Sequence, residues 1–198
     1  MSPHFPASAF AFLAIFCPAA VSAATVTIDV RGPDGAPLTD AVVMVEVPGA
    51  RADTMRGPFV MEQKAIAFQP HVLVVPVGAS VTFPNRDTVR HHVYSFSKAR
   101  KFDLKLYGRE DQRSLVFDTP GIVTLGCNIH DSMSGVIVVS ATPYAAKVNG
   151  AGRIVMDVPP GAATVRVWSP SIRAKGNTLS QPIKIAATGF TTTYTIHR

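Results

Sequence analysis

Cysteine is almost missing from this chain. Cys17 and Cys127 are the two cysteines among 198 residues, and Cys17 lies in a segment that we expect to be cleaved off. A single remaining thiol excludes a framework of intramolecular disulfides. Cys127 is therefore an accident of sequence, half of an intermolecular bridge, or a ligand or reactive thiol.

Long hydrophobic runs are missing as well. The N-terminal run from Ala9 to Ala20 is too short to cross a membrane, so we expect no stable membrane insertion. Val21-Ser22-Ala23 follows it and has the small-residue pattern of a cleavage site. We therefore predict that residues 1–24 are a signal peptide and that the mature protein is exported to the bacterial periplasm.

Charge is sparse, and acidic residues are the scarcer kind. Charged residues make up 16% of the chain, with 19 Lys and Arg against 13 Asp and Glu. The net charge of +6 suits an acidic partner. The densest basic stretch, Lys98 to Lys105, is either an ordinary solvated face or a surface that steers an acidic protein. Nucleic acid is not an expected partner, because aromatic residues are not interleaved there as a stacking platform.

Helical periodicity is the last missing signal. No window of helical length has a sustained 3.6-residue hydrophobic repeat, whereas several stretches alternate with a period of two. Sixteen prolines and fourteen glycines punctuate these stretches in the manner of a β-sandwich. We therefore predict an all-β fold. The clearest predicted strands are Thr25–Val30, Ala41–Val47, Phe102–Leu106, Ile122–Cys127 and Phe190–Ile196.

What the chain does contain is a compact set of soft metal ligands. Cys127, His130 and Met133 are spaced C-x2-H-x2-M in a loop between two predicted strands, so their side chains can converge. A second imidazole is available from His91 or His92, which follow another apolar run. Two imidazoles, one thiolate and one weak thioether form the ligand set of a blue-copper electron-transfer centre. A structural zinc site would not include the thioether.

The residues around these ligands resemble the cupredoxins. Val81–Val93 is similar to the strand and histidine turn of the amicyanin- and plastocyanin-like members, and Phe117–Cys127 matches their F-x3-G-x5-C strand. The combination of H-H-V-Y-S-F-S, G-C-N-I-H-D-x-M and a trailing T-P-Y also resembles exported cupredoxin-like proteins labelled "methylamine utilization protein".

This resemblance implies a Greek-key β-sandwich that holds one type 1 copper ion. It implies a protein that carries single electrons and is not an enzyme, with a periplasmic redox partner such as a c-type cytochrome or a dehydrogenase. His130 would be the solvent-facing exit for electrons. The implied copper ligands are His91, Cys127, His130 and Met133.

Two neighbours of the ligands depart from the cupredoxin pattern. His92 stands where asparagine is usual, and Gly126 stands where an aromatic residue or histidine often precedes the cysteine. In the family, that asparagine ties the two ligand loops together. We hypothesise that His92 and Asn128 have exchanged these roles and contact each other.

The two ends of the chain resemble a different sandwich, of the carboxypeptidase-regulatory-like or Cna-B-like kind. Asp34–Val43 matches a D-G-x-P-L-x2-A-x-V hairpin, and Gly152–Val167 matches a G-R-x4-V-P-P-G-x3-V-x-V run. We expect a second, smaller β-sandwich that is split in sequence, although two independent terminal extensions are the rival arrangement. Its N-terminal part, starting with a hairpin, would span 25–57 and its C-terminal part 142–198, with a cupredoxin-like copper domain at 58–141 between them.

Two other functions are compatible with these residues. Storage or delivery of copper would use the same ligands as electron transfer, and a non-metal binding module would use the regulatory-like sandwich as its surface. Hydrolysis is not expected, because the chain has no nucleophile elbow and a Cys–His nucleophile leaves Met133 without a role. Trp168 is expected to pack inside the C-terminal sandwich, and His71 and His197 to lie at the surface.

Overall fold

The computed structural model describes residues 23–196. The predicted signal peptide, apart from its last two residues, and His197 lie outside the described residues. Within them the fold is all-β, as predicted, and two short 3-10 turns, Ala52–Thr54 and Lys175–Asn177, are the helical elements. No helix between residues 23 and 196 is long and apolar enough to cross a membrane.

Seventeen strands follow one another along the described chain. They are β1 (Ala24–Arg31), β2 (Val42–Glu46), β3 (Phe59–Val60), β4 (Glu62–Gln63), β5 (Phe68–Gln69), β6 (Val72–Pro76), β7 (Ala79–Pro84), β8 (His91–Ser97), β9 (Arg100–Tyr107), β10 (Gln112–Phe117), β11 (Gly121–Cys127), β12 (Ser134–Ser140), β13 (Ala145–Lys147), β14 (Arg153–Val158), β15 (Gly161–Trp168), β16 (Thr178–Ile185) and β17 (Phe190–Thr195).

The strands from the two ends of the chain pair with each other. One sheet has the order β14-β1-β17 and a second has the order β13-β2-β15-β16. The hairpin predicted for the N-terminal segment is therefore wrong, because β1 and β2 lie in different sheets. Each of these two strands buries its apolar side in a shared core instead, and each finds its backbone partners more than a hundred residues away. We call this pair of sheets the outer unit.

Alternation in β1 places its apolar side chains in the core of the outer unit. Val26, Ile28 and Val30 have no exposed surface and pack in one cluster with Val165 and Val167. A strand that alternates apolar and polar residues buries one face when a second sheet covers it. The central position of β1 therefore ties both ends of the chain into one core.

An ion pair on β1 reinforces this tie. Asp29 accepts two hydrogen bonds from Arg153 of β14, at 2.9 and 2.8 Å. The hydrogen bonds from Arg153 lower the pKa of Asp29 below its ordinary value, and the charges of Arg153 and Arg31 lower it further. Burial of the carboxylate opposes this shift. The two bonds bridge 124 positions of sequence.

Replacement of Asp29 by Asn is expected to weaken the acid sensitivity of the fold. A carboxyl group with a lowered pKa in the folded state contributes stability above its unfolded pKa of about 3.9, and this contribution is lost as the pH falls through the lowered value. Urea unfolding of the wild type should therefore show a larger loss of stability below pH ~4 than the Asn variant does. Exposed Asp118 supplies the matched Asp→Asn control, and equal acid sensitivity of Asp29→Asn and wild type would contradict the role of Asp29.

The middle of the chain forms its own two sheets. A five-stranded sheet has the order β6-β12-β11-β8-β9, and a three-stranded sheet has the order β10-β7-β3, beside the small pair β4-β5. The core between them contains fully buried side chains such as Val81, Phe83 and Val123. We call these strands the middle unit. The domain boundaries at residues 57–58 and 141–142 stay predictions.

A small apolar cluster joins the two units. Val42 and Trp168 of the outer unit pack against Val72, Val136 and Val138 of the middle unit. Trp168 was expected inside the C-terminal sandwich, and this prediction is wrong, because the indole lies at the contact with the middle unit. Strand β12 is consequently buried on both faces, which accounts for its unbroken apolar run.

Candidate metal centre

Strand pairing brings two of the predicted ligands to the same face of the five-stranded sheet. His91 is the first residue of β8 and Cys127 is the last of β11. The two strands are antiparallel, with Cys127 opposite Val93. Residues two apart on a strand point to the same side, so His91, Val93 and Cys127 all face the core.

The donor atoms of three predicted ligands converge at this end of the core. The Sγ atom of Cys127 lies 3.8 Å from Nδ1 of His91 and 3.6 Å from Nδ1 of His130. The two imidazole rings are 5.0 Å apart between centroids, and all three donor atoms lie within 4.8 Å of one another. One nitrogen of each histidine, Nδ1, faces the sulfur, and a shared ion needs one such nitrogen from each ring.

These distances fit a single first-row metal ion. With bond lengths like those of zinc, about 2.0–2.1 Å to nitrogen and about 2.3 Å to sulfur, nitrogen and sulfur lie about 3.6–3.8 Å apart at tetrahedral to trigonal angles. Cys127 is 4% exposed and His91 has no exposed surface. The arrangement thus provides a largely buried cage of two imidazoles and one thiol.

Met133 is a buried residue of the loop that carries His130. It is 2% exposed and packs in the same apolar cluster as Cys127. The intervening loop is closed by its backbone, because Met133 N–H donates to the His130 carbonyl at 2.9 Å and Cys127 N–H donates to the Met133 carbonyl at 3.3 Å. The backbone of this loop therefore holds Met133 close to Cys127 and His130. The identification of all four residues as metal ligands stays a prediction.

A carboxylate that sequence reasoning missed orients His91. Oδ2 of Asp87 lies 2.8 Å from Nε2 of His91. A proton on Nε2 leaves the Nδ1 lone pair free on the side of Cys127, and metal-binding histidines are commonly held in this way by a carboxylate. The available signal was an acidic residue four positions before the histidine in the same turn.

Asp87 is itself held by the backbone. It accepts hydrogen bonds from Ala65 N–H at 2.6 Å and from Ile66 N–H at 3.0 Å. Burial tends to raise the pKa of Asp87, but the hydrogen bonds from Ile66, His91 and Ala65 outweigh it and lower the pKa. The ionised carboxylate thus connects the 64–67 turn with the His91 ring.

Buried Asn85 shapes the turn that carries Asp87 and His91. It is 3% exposed, and its amide donates to the Val89 carbonyl at 2.8 Å and the Tyr107 carbonyl at 3.3 Å. Its Oδ1 accepts from Asp87 N–H at 2.8 Å. One side chain therefore supplies the hydrogen bonds that a loop at the end of a strand would otherwise lack.

His92 faces away from the donor atoms. Its imidazole is hydrogen-bonded to Asp103 on β9. The pKa of Asp103 is held well below its usual range, first by hydrogen bonds from the ammonium and backbone N–H of Lys105 and then by the bond from His92. His92 and Asn128 lie opposite each other on neighbouring strands, next to the pair of Cys127 and Val93, but the imidazole of His92 is hydrogen-bonded to Asp103 and not to the Asn128 side chain. The backbone makes the connection instead, since Asn128 N–H donates to the His92 carbonyl at 3.2 Å.

The absence of a side chain at Gly126 is explained by Tyr94. A Cβ atom at Gly126 would lie 2.8 Å from the ring of Tyr94, which is its antiparallel partner on β8. An aromatic ring thus lies beside the residue that precedes Cys127, but the ring belongs to Tyr94 on the neighbouring strand and not to residue 126 itself. Substitution at Gly126 would push this ring away from the sheet.

His71 is not among the clustered donor residues. His71 is exposed, as predicted, and its Nδ1 bonds to the Ser134 carbonyl at 3.1 Å. His130, by contrast, is half-buried, and Ile129, the preceding residue, is 49% exposed. Of the donors that converge, His130 is the one that reaches the surface.

Comparison with known proteins gives matches among solved structures. No protein-family model matches the chain, and no curated protein matches it either. The solved structures include a reduced amicyanin variant, with 28% identity over 50% of this chain and 98% of that chain and a TM-score of 0.39. A purple cupredoxin from Nitrosopumilus maritimus matches at 25% identity over 41% of this chain and 96% of that one, with a TM-score of 0.36.

A Cu-containing nitrite reductase from Thermus scotoductus SA-01 matches as well, at 27% identity and a TM-score of 0.41. The match covers 49% of this chain but spans only a quarter, 25%, of the reductase. The structural neighbours include cupredoxins, as the sequence resemblance predicted, while the link to methylamine utilization stays a prediction.

Proposed function

We propose that this protein carries single electrons through one type 1 copper ion. The observation that supports this proposal most strongly is the convergence of Cys127 Sγ with the Nδ1 atoms of His91 and His130 at 3.8 and 3.6 Å. Two imidazoles, a thiolate and a nearby thioether form a set that suits both oxidation states of copper. Copper would supply the one-electron couple, and His91, Cys127, His130 and Met133 would hold it.

The surroundings of these residues favour electron transfer over turnover of a substrate. His91 is fixed by the Asp87 carboxylate and by buried packing, and Cys127 ends a strand that is hydrogen-bonded on both sides. Ligands that are held by a rigid sandwich move little when the charge of the site changes. His91 and Cys127 are buried, and the half-buried His130 ring would connect the site with a partner at the surface.

Export and partner choice belong to the same proposal. The N-terminal pattern supports a periplasmic location, and the net charge of +6 supports an acidic redox partner such as a c-type cytochrome or a dehydrogenase. Nitrite reduction is not proposed, because the matching part is only a quarter of that enzyme.

Addition of copper(II) to the purified mature protein tests the proposal. An intense visible thiolate-to-copper band together with narrow hyperfine splitting in the paramagnetic resonance spectrum is expected. A reversible potential with rapid electron exchange would favour a carrier over a protein that stores or delivers copper. A colourless protein that binds no copper would refute the proposal.

Substitution of each of the two adjacent histidines should show which one is a metal ligand. His91→Ala removes an imidazole from the cage and is expected to abolish the coloured centre. His92→Asn removes a side chain that faces Asp103 and is expected to leave the colour intact. Visible spectra of both copper-loaded variants make the comparison. Loss of colour in His92→Asn but not in His91→Ala would reverse the assignment.

A further inference from the structure

A groove lies between the outer unit and the middle unit, beside the apolar cluster that joins them. Its volume is about 620 Å³, which lies within the range of small-molecule sites, about 300–1,000 Å³. Strands β11 and β12, the β8–β9 turn and the connection from β15 to β16 all contribute to its lining. Small-molecule sites occur preferentially at such contacts between structural units. The groove is therefore a candidate ligand site that neither unit forms alone.

Apolar side chains supply much of the lining. Ile122 of β11, Val136 of β12 and Trp168 of β15 contribute, together with the rings of Pro120 and Pro170. Trp168 is only 3% exposed, and Ile122 packs against the same apolar cluster. Apolar surface of a ligand that is buried against these side chains leaves water, which is favourable. This part of the lining predicts a ligand with an apolar body.

The indole N–H of Trp168 is an unused hydrogen-bond donor in this lining. No residue between 23 and 196 accepts a hydrogen bond from it, and its nitrogen is not among the sealed polar atoms of these residues. An indole N–H can only donate, and the N–H of a buried tryptophan usually has a partner. An oxygen atom of a ligand in the groove would supply the missing acceptor.

The charge of the lining is positive. Lys98 and His71 line the groove, and no Asp or Glu is found among the described residues that do so. The Lys98 ammonium makes no ion pair with a carboxylate of residues 23–196. The hydroxyl groups of Thr124 and Ser134 add two further donors to the lining. An anionic group with acceptor oxygens therefore fits the groove, whereas a cation does not.

Hydrogen bonds hold the lining in place on both units. Nδ1 of His71 lies 3.1 Å from the Ser134 carbonyl oxygen, and the Asn177 amide donates to the Ile172 carbonyl at 2.8 Å. Trp168 belongs to β15, which is paired with β2 on one side and β16 on the other. A lining that is already ordered lowers the entropic cost of binding. The groove is thus preformed in the free protein.

We propose that this groove binds a small organic acid. The carboxylate would accept hydrogen bonds from the Lys98 ammonium and from the indole N–H of Trp168, and the apolar body would lie against Ile122 and Val136. A carboxylate has two acceptor oxygens, so it can bind both donors at once. The long, flexible side chain of Lys98 lets its ammonium adjust to the ligand. Binding of the acid requires no metal ion, so this site is independent of the proposed function.

Titration of the metal-free mature protein with 4-cyclohexylbutanoate tests the site. Trp168 is the single tryptophan of the chain, so tryptophan fluorescence reports directly on the groove. We expect a saturable change in this fluorescence when the acid is added. The matched amide, 4-cyclohexylbutanamide, keeps the apolar body but lacks the negative charge, and it should bind about tenfold more weakly.

A pair of lysine variants tests the position of the carboxylate. Lys98→Gln removes the ammonium from the lining and should raise the dissociation constant of the acid about tenfold. Lys101→Gln is the matched control, because Lys101 is an exposed residue of the same hairpin that does not line the groove. This variant should bind the acid like the wild type. Trp168→Phe keeps a ring but removes the N–H, and calorimetry should likewise show weaker binding.

Three results would overturn the acid site. The first is no saturable binding of 4-cyclohexylbutanoate up to millimolar concentrations. The second is equal affinity for the acid and the amide, and the third is the same dissociation constant in Lys98→Gln, Lys101→Gln and the wild type. A coloured copper centre in the same protein preparation would leave the proposed function in place with any of these results.

Discussion

Replacement of Cys127 by serine is expected to remove the coloured centre completely. The intense band of a type 1 site arises from a thiolate bound to copper, and a serine hydroxyl does not replace that ligand. His91 and His130 would remain close together and could still hold a metal ion weakly. Visible and paramagnetic resonance spectra after copper addition should therefore show no thiolate band in the variant.

The fold of the Cys127→Ser variant should survive. Burial of a hydroxyl group without a good partner costs about 1–3 kcal/mol, which lowers the stability without unfolding a domain of ordinary stability. Urea unfolding of the metal-free variant measures this loss, and His92→Asn, which keeps the thiol, is the control for the spectra. A serine variant that retained the blue band would show that Cys127 is not the ligand.

Replacement of Ile28 by aspartate is expected to unfold the outer unit. Ile28 has no exposed surface and lies on β1, between Ile154 of β14 and Thr192 of β17. A carboxylate without a partner in that core loses the apolar contacts and adds a desolvation cost, so a loss above about 4 kcal/mol is expected. Amide hydrogen exchange should show loss of protection in β14–β17 although the substitution is in β1.

A matched variant makes this prediction specific for the buried face. Thr27→Asp places the same carboxylate one residue earlier, where the side chain is only half-buried, and should leave protection of β14–β17 close to that of the wild type. Protection of Val123 and Leu125 in the middle unit should persist in Ile28→Asp. Undisturbed protection of β14–β17 in Ile28→Asp would favour two independent terminal extensions over a split sandwich.

Local patterns predicted the strands well, and three of the candidate ligands lie close together in the structure. The alternation in Thr25–Val30 became β1, and the C-x2-H-x2-M spacing became a loop whose Cys127 and His130 donors lie 3.6 Å apart. Both features depend on residues close in sequence, because a strand alternates every second residue and a short closed loop cannot separate its ends. The choice of His91 over His92 came from the family resemblance, and it agrees with the side of β8 that faces Cys127.

The errors concern contacts between residues that are distant in sequence. The N-terminal strands were expected to pair with each other, and Trp168 was expected inside one sandwich. Sheet pairing decides each of these, because it sets which strand is a neighbour and which face is covered. Asp87 was missed because its role depends on the 64–67 turn, whose backbone N–H groups donate hydrogen bonds to the Asp87 carboxylate.

The sequence by itself determined the all-β class, the side of each strand that is apolar, and the residues able to bind a soft metal ion. These properties follow from residue type and short-range spacing. Tertiary structure alone decided that both ends of the chain share one core, that Asp87 orients His91, and that Tyr94 covers Gly126. Such features arise when backbone hydrogen bonds and buried faces of separate strands are satisfied together, and a linear pattern does not encode which distant strand satisfies them.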